Sequence, residues 1–82
     1  MVEKGQLCKV VFLDHCTFED QWPGEVKPLT CVCYGMLAYE TEDYIVLLSS
    51  HSLEDGSNLH NSGFVVLKAA IREIKALKEE EA

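Results

Sequence analysis

Cations are scarce in this chain. Seven Lys and Arg stand against fourteen Asp and Glu in 82 residues, for a formal charge of -7. Generic phosphate neutralisation is a poor basis for binding at that balance, although a local basic site is not excluded. No apolar run approaches the about 20 residues needed to span a bilayer. The opening MVEKGQLCK lacks the apolar stretch of a signal peptide, so a cytoplasmic protein with no membrane partner is expected. There is no Gly-rich phosphate loop and no nucleophile elbow. His15 and Cys16 are adjacent, and on a strand they point apart, which is no thiol-imidazole pair. These absences favour a non-enzymatic protein with no cofactor.

The length allows one domain, 1–82, with its core over about 7–77. A chain this short buries about 60–65% of its unfolded surface, so self-association would help its stability. The four cysteines, Cys8, Cys16, Cys31 and Cys33, are read as free thiols of a reducing compartment. Cys31 and Cys33 lie two apart on an expected strand and point the same way, where a bridge would be strained.

LCKVVFL, residues 7–13, reads as a first strand. A polar loop follows over 14–28, with Trp22-Pro23-Gly24 as a turn signal and Trp22 as a candidate partner contact. LTCVCYGMLAY, 29–39, is a longer strand whose Gly35 marks a bend or a close approach. A polar turn leads to a third strand over 44–51, whose YIVLL is apolar on both faces. A second polar loop spans 49–63, and a fourth strand spans 64–68.

The stretch LKAAIREIKAL, Leu67 to Leu77, supports two structures. Leu67, Ala70, Ile71, Ile74 and Leu77 share one helical face, and Ala, Leu, Lys and Glu are good helix formers. Against a helix stand the poor N-cap Lys68 and a charge order, basic early and acidic late, that opposes the helix dipole. Each effect is worth no more than about 1–2 kcal/mol, so local physics leaves strand and helix both open.

VLKAAIREI, Val66 to Ile74, resembles the last two strands of the Sm-like (LSm/Hfq-like) proteins: a hydrophobic residue, a basic one, a short turn, then two hydrophobics three apart. GMLAYETEDYIVLL, Gly35 to Leu48, is similar to that family's first motif. The chain also resembles small Sm-like proteins of phages and marine metagenomes that have no assigned function. The resemblance covers about residues 7–77. It implies an all-β fold: a five-stranded, strongly bent antiparallel barrel, here with the N-terminal helix short or absent and a fifth strand at 71–77. The alternative is an α+β protein with a C-terminal helix at about 67–81.

The resemblance also implies a homo-oligomeric ring of about five to seven subunits, in which the fourth strand of one copy pairs with the fifth of the next. Its interface would be Phe64, Val65, Val66, Leu67, Ile71 and Ile74. An RNA, a nucleotide-containing ligand or a protein would be the partner, touched by Lys68, Tyr39 and Thr41. The family's RNA pocket is only partly present. Ile45 stands where a base-binding Asn is expected, and an Ile side chain cannot hydrogen-bond a base.

Two other functions stay open: an α+β protein–protein adaptor, and a small zinc domain using His15, Cys16, Cys31 and Cys33. The spacing of those four is not a CxxC knuckle, so no metal is the first expectation, with the thiols as small core residues. His51, Asp55 and His60 could share a loop site, but solvated loop residues are the commoner case. The tail KALKEEEA reads as a solvated extension of the last strand.

Overall fold

A computed structural model describes residues 2–17, 19–51 and 61–77. The protein is all-β: β1 Leu7–Asp14, β2 Leu29–Glu40, β3 Tyr44–His51, β4 Asn61–Leu67 and β5 Ile71–Ala76. The strands form one antiparallel sheet in the order β4-β3-β2-β1-β5. Short 3-10 turns occupy Pro23–Glu25 and Lys68–Ala70. Among the described residues, no helix is long and apolar enough to cross a membrane.

The C-terminal helix alternative is therefore corrected over the described part of 67–81. Lys68–Ala70 is a single 3-10 turn, and Ile71–Ala76 is a strand paired to β1. The helical spacing of Ile71 and Ile74 has a different origin. Val11 faces Glu73 and Phe12 faces Ile71, so the register shifts there and Arg72 is the extra residue of a β-bulge. Directly paired residues share a face. Phe12 with Ile71, Val10 with Ile74 and Cys8 with Ala76 therefore all lie on the inner side. The bulge lets two isoleucines three apart serve one core.

The sheet is bent but not closed. A flat sheet of five strands would hold its two outermost strands about 19 Å apart, at about 4.8 Å per step. Those strands are β4 and β5, yet Lys68–Ala70 alone connects them. Leu67 and Ile71 can be at most about 14 Å apart even with that link fully extended. The sheet must curl. Register shifts at Leu37/Tyr39 and Leu48/Ser50 add to the bend.

The concave side holds the core: Cys8 and Val10 from β1, Cys33 and Leu37 from β2, Ile45 and Leu47 from β3, and Val66 from β4. Residues ahead of β1 close one end of it. Gly5 N–H donates to Leu37 O at 2.8 Å and Leu37 N–H donates to Gln6 O at 2.9 Å, and Val2 is buried against the core. Residues 2–6 make this turn instead of a helix.

β4 starts at Asn61, three residues earlier than its apolar pattern suggests. Hydroxyl contacts extend the pairing beyond the apolar stretch: Ser62 Oγ lies 2.8 Å from Ser50 Oγ and 3.3 Å from Ser49 Oγ. Gly35 is a close approach, as its place in the sequence suggests. A Cβ there would come within 2.9 Å of Leu48 O and 3.1 Å of Leu47 Cβ. Gly63 is tighter still, because its Cβ would overlap Leu47 O. Gly63→Ala should therefore separate β3 from β4 and cost about 2 kcal/mol or more. The expected reading is a lower urea midpoint with an unchanged slope; an unshifted midpoint would show that the two backbones do not approach this closely.

Candidate functional site

The sequence points to Lys68, Thr41 and Tyr39 as ligand contacts, and the fold treats them differently. Lys68 opens the turn between β4 and β5, and its backbone N–H donates to Asp43 O at 2.8 Å. That bond ties the turn to the β2–β3 connection. Thr41 lies in that connection and organises it. Its Oγ1 accepts the N–H groups of Asp43 and Tyr44, each at 3.1 Å. Lys68 and Thr41 thus meet at one end of the sheet. Tyr39 pairs with Val46 on the outer side, away from them.

Glu40 completes this end and has no signal in the sequence that picks it out. It pairs with buried Ile45, so its side chain is on the inner side, and its Oε2 lies 2.6 Å from Lys68 Nζ. Below the ion pair is an apolar hollow of about 290 Å³, lined by Val2, Leu37, Ile45, Ile71 and Ile74. The arrangement can hold a flat or apolar group, with a cation and a carboxylate at the rim for its polar atoms. Glu40 shares the Lys68 ammonium with any incoming anion, since the ammonium carries three donors and its side chain is 36% exposed.

The expected interface residues lie on or beside two free edges. β4 and β5 are the end strands of the sheet, and neither has a second neighbour among the described residues. Val65 is 68% and Leu67 61% exposed, on the outer side of β4. Phe64 and Ile74 are partly exposed, Ile71 is half-buried, and Val66 is a core residue. A groove of about 380 Å³ follows the line where the sheet fails to close, between Phe12 and Leu13 of β1 and Val65 and Leu67 of β4.

The zinc alternative is not assembled. Among the described residues, no three His, Cys, Asp or Glu side chains come together as a metal site. Cys33 is buried and Cys31 half-buried on the inner face of β2, while His15 and Cys16 are exposed beyond the end of β1. Cys16 Sγ is 3.5 Å from Lys27 O. Trp22 is 73% exposed beside the Pro23–Glu25 turn. The His51, Asp55 and His60 reading and the acidic tail from residue 78 fall on side chains outside the described residues.

A scan against family models and searches of curated proteins and of solved structures find no match.

Burial pushes the Cys8 thiol up; burial, with the neighbouring Cys8 and Cys31 thiols, also pushes Cys33 up. The fold thus holds these protons more tightly than the unfolded chain, whose thiols titrate near about 8.5. The stabilisation is complete below that value and fades as pH rises toward the raised folded values. Urea midpoints should fall between about pH 7 and pH 10, and Cys33→Ala should flatten that fall. Equal slopes in both proteins would mean that Cys33 is not protected. Thr41→Ala should cost about 0.5–2 kcal/mol, by analogy with the loss of a helix cap, because two turn amides lose their acceptor. Thermal melts of the pair check this.

Proposed function

We propose that the chain is a non-enzymatic Sm-like module that assembles with copies of itself into a ring. The observation that carries this reading is the pair of free edges. β4 has the sequence NSGFVVL, without a charge or a proline. Exposed edges are ordinarily blunted by such residues, and an unprotected one is a template for another strand. β5 offers the second edge at the opposite end of the same sheet. Joining unlike edges is a heterologous contact, which closes into a ring when the rotation between copies permits. The curled sheet supplies a rotation at every step. The five antiparallel strands, the bend and the three-residue turn at Lys68 are features that the Sm-like resemblance of the sequence implies, and they support this reading.

The hollow under Lys68 and Glu40 is the best candidate for ligand contact. An apolar floor with a cation at the rim suits a base and its phosphate, so RNA or another nucleotide-containing molecule is the proposed ligand, held where each subunit presents Lys68.

A proline tests the edge without touching the core. Lys68 N–H bonds inward to Asp43 O, so alternation turns the amides of Val66 and Phe64 inward and those of Val65 and Leu67 outward. Val65→Pro removes an outward donor and leaves the β3–β4 ladder intact. Native mass spectrometry should show about five to seven subunits for the parent chain and for Val65→Thr, and one subunit for Val65→Pro. A parent chain that is monomeric at micromolar concentration would overturn the ring. Lys68→Ala should weaken binding of a fluorescent oligouridylate about tenfold, the equivalent of about 1.4 kcal/mol. Unchanged affinity would remove this hollow from consideration.

A further inference from the structure

We propose that the outer face of β1, β2 and β5 docks an apolar, carboxylate-bearing segment of a partner protein. This surface is separate from the strand edges and from the hollow under Lys68. Edge pairing uses the free backbone of β4 and β5 and leaves this face uncovered.

The face is built by alternation. Cys8 and Val10 point inward, so Leu7, Lys9 and Val11 point outward. Their partners on β2 are Met36, Tyr34 and Val32. Leu7 is 45%, Val32 51% and Tyr34 55% exposed. Next to Met36, on β3, lies Leu48. A shallow groove of about 570 Å³ runs past Leu7, Tyr34, Met36 and Leu48. Single exposed apolar side chains are ordinary, but a contiguous set across neighbouring strands marks an interaction surface. A solvated sheet face would instead carry polar residues.

Charge identifies the occupant. Lys9 and Lys75 are direct cross-strand partners on this face. Like charges so placed repel, which costs stability. Glu73, also outward, reaches only one of them, at 3.5 Å from Lys9 Nζ. Two of only seven cations in an acidic chain are thus set side by side at the border of the apolar patch. A carboxylate from outside would relieve the pair while apolar side chains cover Leu7, Tyr34 and Val32. A second copy laid on this face across a twofold axis would present the same patch. Among the described residues, its one outward carboxylate on this face would be the Glu73 already beside Lys9. Two lysines are too few for a nucleic-acid strand on a chain of charge -7. Aromatic and apolar side chains beside a small number of charges suit the centre of a protein interface.

The test pans the full chain against a random linear peptide library. The enriched peptides should combine apolar residues with Asp or Glu. Titrated into isotopically labelled protein, one such peptide should shift the amides of Leu7, Lys9, Tyr34 and Met36. The double variant Lys9→Glu, Lys75→Glu should bind it about tenfold or more weakly, and Lys9→Arg, Lys75→Arg should restore binding. Amide spectra of each variant establish that the sheet is intact. Three results would overturn the proposal: no enrichment, binding indifferent to charge reversal, or shifts confined to β4 and β5. So would an oligouridylate that binds this face more tightly than the peptides, or the same shifts produced by raising protein concentration alone. Val65→Pro separates the two ideas, because it should abolish the ring and leave peptide binding unchanged.

Discussion

The three-residue link Lys68–Ala70 is the constraint on which the rest of this structure depends. It joins the two strands that a flat sheet would hold furthest apart. The link is too short to reach across a flat sheet, so the sheet must curl and acquires a concave side. That side gathers apolar residues from every strand, though each strand contributes only one to three. The backbone bond from Lys68 to Asp43 O and the ion pair from Lys68 to Glu40 fasten the same link to the β2–β3 connection. One short turn thereby sets both the curvature and the geometry of the candidate ligand end.

Curling has a cost in register. Strand alternation drifts out of phase with a bent core, and the bulges restore it. Arg72 is the clearest case, because without the extra residue either Ile71 or Ile74 would face solvent. Gly35 and Gly63 supply the room: at both, a Cβ would press on the backbone of Leu47 or Leu48. Curling also leaves the job unfinished. β4 and β5 converge at the link, and each keeps one edge without a neighbour among the described residues, with exposed Val65 and Leu67 alongside. The edge left by that geometry is the physical basis of the proposed self-association.

Most of the strand pattern was legible in the chain. The strands expected at 7–13, 29–39 and 44–51 correspond to Leu7–Asp14, Leu29–Glu40 and Tyr44–His51. Their β-branched and aromatic content and the turn residues between them carry that information locally. The start of β4 was less legible, because serine hydroxyl contacts and not apolar side chains define it. The sequence points to Lys68 and Thr41, and they do lie together. It carries no signal for Glu40, whose importance comes from contact with a residue far along the chain. The outer face was invisible for the same reason: Lys9 and Lys75 become neighbours only when β1 pairs with β5.

The sequence by itself determined an acidic chain of short apolar strands separated by polar turns, with free thiols pointing to the same side of β2. Those are properties of composition and of a two-residue alternation, which each segment carries alone. Tertiary structure decided whether Leu67–Leu77 is helix or strand. Its spacing satisfies a helical face and a bulged strand equally well, and only pairing of Ile71–Ala76 with β1 breaks the tie. It also decided which edges remain open and which charges meet, since both depend on strand order, and strand order depends on contacts between residues distant in the chain.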